Sequence, residues 1–252
     1  MTIMQSVLIS VTVFNEDINS LPICEILTTN DFGFNIAILV TDNSRNPQKI
    51  CKKYTHKLHY YHTGTNGGTR QAILNTQKFL YFHNNWDYVI FLDQDTSINF
   101  LKKYFELALN QCEKPAVFVP IVQDQRGEII SPCVIDRWGF ISGSDVNYDT
   151  AILSGLLIHT TFINKIDYIP KVFWLDYLDH YLFKTKFPKP ILMCLVMRHH
   201  LSVSNPEQVK LKRLFNIYCS ELAFYLYCMP NKLYVGLFKF VLNMVRLTVR
   251  LL

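Results

Sequence analysis

The sequence predicts an α/β protein: a mixed, mostly parallel sheet flanked by helices, with a C-terminal helical appendage. Three observations carry this. Short apolar runs alternate with helically spaced segments over the first hundred residues; those runs are continuously apolar, as strands covered on both faces must be; and the last forty residues or so change to long, aromatic-rich helices. The chain has 252 residues, 50% of them hydrophobic. That excludes intrinsic disorder and is enough for a sizeable core. Residues 1–205 are expected to form the α/β domain and residues 206–252 the appendage.

Taken in order, SVLISVTVF at 6–14, NIAILVTD at 35–42, LHYYH at 58–62 and DYVIFLD at 87–93 read as strands, each ending in polar or small residues. Between the last two, Ala72, Leu74, Phe79 and Leu80 interleave with Arg70, Gln71, Gln77 and Lys78, the spacing of a helix over 69–82. In sheets of this kind ligands bind at the carboxyl ends of the strands. The N-terminus lacks the basic segment and small-residue cleavage site of a signal peptide, which points to a cytosolic protein.

After residue 115 the pattern turns more mixed and antiparallel: AVFVPIV, QDQRGEII and SPCVI around a turn, then AILSGLLI at 151–158. A helix rich in aromatics and acids is expected over 173–187. PILMCLVMRHH at 190–200 reads as a further strand with an imidazole-rich tip. The seven cysteines are odd in number and lack C-x-x-C spacing, so they read as reduced core thiols, neither a disulfide framework nor a zinc site. Cys194 and Cys228 lie in apolar runs.

The appendage predicts two helices separated by Pro230. In the second, Lys232, Lys239, Asn243, Arg246 and Arg250 fall at steps of 7, 4, 3 and 4 and so draw one stripe on a broadly apolar helix. Such a helix suits the surface of an anionic membrane, its cations at headgroup level, or packing against the core or a second copy in a homodimer. No run is apolar and charge-free for long enough to span a bilayer. The net charge of +5 is too mild to imply nucleic acid.

Asp93-Gln94-Asp95 follows the fourth strand directly. Residues two apart in an extended segment project the same way, so both carboxylates can aim at one point beyond the sheet. That point calls for a divalent cation, and Mg2+ or Mn2+ held by carboxylates together with substrate phosphates is the usual arrangement. The alternative is a solvated turn with Asp95 capping the next helix.

FLDQDTS, together with VTVFNE, VTDNS and the N-x-G-G segment from Asn66, occurs in an order that resembles family 2 glycosyltransferases, above all the bacterial rhamnosyltransferase-like enzymes. LSGLLI and FWLDYLDHY are similar to that family's S-G-x-L-I and F-I-D-x-V-D-x-E segments. The resemblance covers about residues 6–200. It implies a GT-A fold and inverting transfer of a sugar from a nucleotide-sugar, dTDP- or UDP-linked, to a lipid-linked oligosaccharide in surface polysaccharide synthesis. Such an enzyme is peripheral on the cytosolic membrane face.

The roles implied follow residue by residue. Asp93 and Asp95 hold the metal, with His199 as a further ligand; adjacent His200 points the other way. Asp179 is the base that deprotonates the acceptor hydroxyl, and Asp176, at i and i+3 on the expected helix, orients base or acceptor. Phe14, Asn15 and Glu16 surround base and ribose, and Asp42 accepts the imide N–H of uracil or thymine. Asn66 and Gly67 bring backbone close to the phosphates, Arg70 pairs with the diphosphate, and Asp93 also lies against the donor. Trp174 and Tyr181 contact the acceptor, Tyr181 standing where the family commonly has Glu.

Other classes fare less well. The glycine segment lacks both the dinucleotide fingerprint and the P-loop lysine, and no Gly-x-Ser-x-Gly or His-Glu-x-x-His is present. A nucleotidyltransferase, or a non-catalytic sugar- or partner-binding protein on the same scaffold, stays open as an alternative.

Overall fold

The computed structural model describes residues 5–27, 33–110, 114–199 and 210–249. β1 (Ser6–Val13), β2 (Asn35–Asp42), β3 (Leu58–His62) and β4 (Tyr88–Asp93) form at the four apolar runs and pair in parallel in the order β3-β2-β1-β4. On β1, Val7, Ile9, Val11 and Val13 join one core cluster while Leu8 joins another. The sheet therefore has a core on each face, which is why its central runs are continuously apolar. α1 (Gly68–Phe82) covers one face. α2 (Leu101–Asn110) covers the other through Leu101, Tyr104, Phe105 and Ala108, one helical stripe.

The chain runs outward from β1 to β2 and β3, then returns to place β4 on the other side of β1. Strand order thus reverses between β1 and β4, and the crevice beyond their carboxyl ends is where open α/β sheets bind ligands.

Past β4 the sheet is mixed. β5 (Val117–Gln123) and β9 (Leu157–His159) pair antiparallel, as do β9 and β4, while β10 (Ile191–Arg198) runs parallel to β5 at the edge. Pro120 has no N–H for the ladder, and the β5–β10 register slips opposite it, between Met193 and Val196. β6 (Ile129–Ser131) adds to β5; β7 (Cys133–Ile135) and β8 (Ile141–Gly143) form a separate hairpin. The run at 151–158 supplies strand only at its end, because Gly155, at φ +86°, turns the chain so that its N–H reaches the Phe91 carbonyl at 2.8 Å.

A short α3 (Thr160–Asn164) follows β9, and α4 is Leu178–Thr185, shorter than the helix expected over 173–187. Tyr177 stands at its start in the left-handed region, φ +59°, so Asp176 lies off the helix and shares no helical face with Asp179. Cys194 is also corrected: β10 is an edge strand with alternating exposure, and Cys194 falls on its outer face. Among the described cysteines none is paired; Cys112 lies outside the described residues.

α5 (Leu211–Cys228) packs into the α1-side core through Ala223 and Phe224, and α6 (Leu233–Val249) packs on α5. The basic stripe is divided: Lys239 and Asn243 turn toward α5, Lys232 is half-buried and Arg246 is exposed. Lys239 Nζ lies 2.9 Å from Glu221 of α5, Asn243 Nδ2 lies 3.5 Å from the same carboxylate, and the Lys232 ammonium meets the Arg137 carbonyl. Glu221, offered by α5, turns Lys239 inward. Arg250, His200 and the 205/206 boundary lie outside the described residues. Among those described, no helix is long and apolar enough to cross a membrane.

Candidate active site

A cleft of about 830 Å³ opens where β1 and β4 end. Register pairs Thr12 with Asp93. The chain then turns tightly, Asp93 N–H donating to Thr96 Oγ1 at 3.2 Å and Thr96 N–H to the Asp93 carbonyl at 3.1 Å. The turn leaves Asp93, Gln94 and Asp95 all lining the cleft. Phe14 N–H donates to Gln94 Oε1 at 2.7 Å, tying the loop after β1 to the loop after β4. Helix α2 begins only at Leu101, so Asp95 does not cap it.

Asp179 enters the same cleft from α4. Desolvation at the cleft floor pushes the Asp93 carboxyl above its ordinary value; His199 pulls it down, and Asp95 and Asp179 add to the rise. Three acids thus feel one another across a single cavity. His199 Nε2 stands 3.4 Å from Asp93 Oδ2, and its buried Nδ1 has no partner among the described residues. Among those residues no group of three or more His, Cys, Asp or Glu is arranged to hold a metal ion by itself. Two hard carboxylates under mutual repulsion, facing an open cavity, suit Mg2+ or Mn2+, which take one or two carboxylates and fill the remaining positions with water and phosphate oxygens.

Asp179 Oδ1 accepts the His180 N–H at 2.9 Å, in the first turn of α4. The His180 ring, also lining the cleft, is fixed by Thr150 Oγ1 at 2.8 Å from Nδ1. Asp176 is held by Arg213 of α5, whose Nη2 reaches Oδ1 at 2.7 Å while Nη1 meets Oδ2. Burial pushes the Asp176 carboxyl up to about 6 even with that guanidinium against it, Asp179 adding to the rise. Between the two acids, the Tyr177 ring packs against Phe224 of α5 at 5.7 Å between ring centres. Asn15 and Tyr177 are the two non-glycine residues with positive φ among those described, and both adjoin the cleft, where backbone strain commonly accumulates.

Of the expected nucleotide contacts, Phe14, Asn66 and Asp93 line the cleft. Asn15 and Glu16 are exposed just beyond it, Asn15 N–H donating to Ser44 Oγ at 2.8 Å. Asp42 is placed differently: it is 0% exposed, and its oxygens already accept Ser44 N–H at 2.9 Å and Tyr60 OH at 2.7 Å. Its neighbour Asn43 lines the cleft instead. Gly67 caps α1. The close backbone approach belongs to Gly68, at φ +61°, where a Cβ would stand 2.2 Å from the Trp174 carbonyl oxygen; the neighbour is protein, not phosphate. Arg70 is likewise turned to protein, its Nε donating to the Ile169 carbonyl at 3.1 Å.

Neither expected acceptor contact lines the cleft. Tyr181 is buried, stacked on Phe173 and edge-on to Tyr227, because it faces the core side of α4. Trp174 lies under the Arg213 guanidinium, 5.3 Å from its ring centre. In their place the cleft is walled by Ile141, Ile217 and Arg213. Ser154 lies beside Asp93 and Thr96; the S-G-x-L-I likeness marks its segment. Nothing in the sequence marks Arg213, 37 residues from its partner.

No protein-family model and no curated protein matches the sequence. Solved structures of similar shape do. S. aureus TarS aligns with a TM-score of 0.52 at 14% identity, over 87% of this chain and 40% of that one. TarS 1–349 in complex with UDP gives 0.54 at 14% identity, over 86% and 66%. GalNAc-T7 with UDP, GalNAc and Mn2+ gives 0.55 at 11% identity, over 88% and 48%. The chain therefore spans less than half the length of full TarS and of that GalNAc-T7 chain. At these identities the likeness is one of fold: the chain has the GT-A fold.

Proposed function

We propose that the chain is an inverting, metal-dependent glycosyltransferase of the family 2 type. It would move a sugar of the rhamnose type from a dTDP- or UDP-linked donor to a hydroxyl of a lipid-linked oligosaccharide, working peripherally at the cytosolic face of a membrane. The observation that carries this reading is that Asp93 and Asp95, at the end of β4, and Asp179, at the start of α4, line one cleft at the point where the strand order reverses. UDP in TarS 1–349 and UDP with Mn2+ in GalNAc-T7 support the donor class.

In this reading Phe14 and Asn66 lie along the nucleotide and Asn43, not Asp42, is the polar group near the base. Asp93 and Asp95 would hold Mg2+ or Mn2+ with His199 beside them, and the ion, when bound, supplies the Lewis acid that offsets charge on the departing diphosphate. Asp179 takes the proton from the acceptor hydroxyl as that oxygen attacks the anomeric carbon on the face opposite the leaving group. Arg213 fixes Asp176 and so sets the path of the chain into Asp179. Ile141 and Ile217 exclude water from one wall.

Calorimetry with UDP, dTDP and GDP, each with and without Mn2+, tests the reading. Binding of UDP or dTDP that strengthens with Mn2+ is the expected result. Binding of none of the three would overturn it.

A further inference from the structure

α6 is oriented against the usual rule for a surface helix. Lys239 and Asn243 point into the protein at Glu221, Arg246 is exposed, and Tyr234, Leu237, Phe238, Val241, Leu242 and Val245 are 40–70% exposed. Those six recur at spacings of three, one, three, one and three and so form one continuous outward stripe. A contiguous apolar face of this kind marks an interaction site.

A second feature adjoins it. The turn between β7 and β8 is tied to the appendage: Lys232 meets the Arg137 carbonyl, Tyr225 OH reaches the Trp138 carbonyl at 3.0 Å, and Lys239 Nζ lies 3.7 Å over the Phe140 ring. That turn leaves Trp138 and Phe140 about half exposed, with the Arg137 guanidinium 5.2 Å from the Trp138 ring. Tryptophan beside arginine at the rim of an apolar face is the composition of a membrane–water boundary.

Charge decides the occupant. Of the chain's 25 basic and 20 acidic residues, seven and one fall in residues 210–252, leaving 18 and 19 for the remainder. The net positive charge therefore sits in residues 210–252, the appendage that carries the apolar stripe, and on α6 itself Arg246 is exposed. Two copies meeting through this face would bring like charge together, whereas an anionic bilayer complements it.

We infer that the outer face of α6, with Trp138 and Phe140, docks on the surface of an anionic phospholipid bilayer. This stands on the exposure and charge of the appendage and does not rest on the transfer reaction. It also places the cleft: Ile141, next to Phe140, is part of its wall, so docking sets that wall beside the bilayer, where a lipid-borne acceptor would arrive.

Flotation of the full chain with vesicles of equimolar phosphatidylglycerol and phosphatidylcholine, and with phosphatidylcholine alone, provides the test. Expected are binding to the anionic vesicles only, weakening with salt, and a blue shift of tryptophan emission that Trp138→Phe removes. Phe238→Glu and Val241→Glu should each cut binding roughly tenfold or more, the loss expected when a buried apolar side chain is removed, at unchanged Tm, since both side chains are exposed. Failure of the wild-type chain to bind anionic vesicles, or binding untouched by both substitutions, overturns the inference. So does a solution dimer that Phe238→Glu converts to monomer without any vesicle binding, which would give the face to a second copy.

Discussion

Arg213 of α5 grips Asp176 with both terminal guanidinium nitrogens, three residues before Asp179 enters the cleft. Both side chains are largely buried, 20% and 16% exposed, so removing one leaves the other buried without its partner. Arg213→Met should cost about 3–5 kcal/mol, visible as a fall in Tm on the order of 10 °C. Arg213→Lys keeps the charge and loses the fork, and should fall between. The double variant Arg213→Met with Asp176→Asn should recover much of the loss, because no buried charge is then left unpaired. A double variant no more stable than Arg213→Met would show that the pair is not the source of the cost.

The same carboxyl predicts a pH dependence. Its folded value, about 6, lies above the ordinary 3.8. Between those values the folded chain holds a proton that the unfolded chain has released. The stabilisation from Asp176 is therefore complete below about 3.8 and lost as pH rises through about 6. Comparing unfolding free energy against pH for the wild-type chain and Asp176→Asn isolates it: the difference between the two curves should change across this window and be flat above about pH 7.

Asp179→Asn separates chemistry from binding. The side chain keeps its shape and can still accept the His180 N–H through its amide oxygen, so α4 and the cleft should be preserved. A positioned general base contributes typically 10²–10⁴-fold, and kcat should fall by about that much while calorimetric affinity for UDP with Mn2+ stays within about twofold, since the proton transfer is absent from ground-state binding. Transfer at the wild-type rate would move the base elsewhere, His180 being the next candidate in reach.

How far the sequence already showed this architecture depends on the range of the interaction. The first four strands were readable because a strand buried on both faces writes itself as an unbroken apolar run, and Asp93 and Asp95 were readable as the first polar residues after one. The extent of α4 was not, since aromatic and acidic spacing across 173–187 looks helical until Tyr177 adopts a left-handed backbone, with its ring packed against Phe224 of α5. Asp42 was placed by analogy of position, but Tyr60 and Ser44 had already claimed its oxygens. Of the basic stripe of α6, Lys239 and Asn243 turn toward α5, one of the placements the spacing allows, while Arg246 is exposed. Spacing says which residues share a face; only the buried Glu221, 18 residues earlier in the chain than Lys239, says which way that face turns.

Removing either metal-side acid should uncouple nucleotide binding from the cation. Asp93→Asn and Asp95→Asn each relieve repulsion in a cleft where Asp179 also contributes, so neither should lower Tm. Each should reduce the effect of Mn2+ on UDP affinity to about that of leaving the metal out, as titrations with EDTA and with added Mn2+ would measure. An intact Mn2+ effect in both variants would remove the carboxylates from the metal site.

Gly68 and Gly127 form a controlled pair for testing what holds the acid-bearing segment in place. Both have positive φ, +61° and +82°, but a Cβ at Gly127 meets nothing within 4 Å, whereas one at Gly68 would lie 2.2 Å from the Trp174 carbonyl oxygen. Gly127→Ala thus suffers backbone strain alone, about 1 kcal/mol. Gly68→Ala suffers the same strain and must also push the 174–179 segment away from α1, breaking the 3.0 Å bond from Arg70 N–H to the Trp174 carbonyl. Because Asp176 and Asp179 ride on that segment, Gly68→Ala should lower both Tm and kcat, and Gly127→Ala should shift Tm by only a few degrees with kcat unchanged. Equal effects on kcat at the two glycines would mean that packing of the 174–179 segment on α1 does not govern where the base sits.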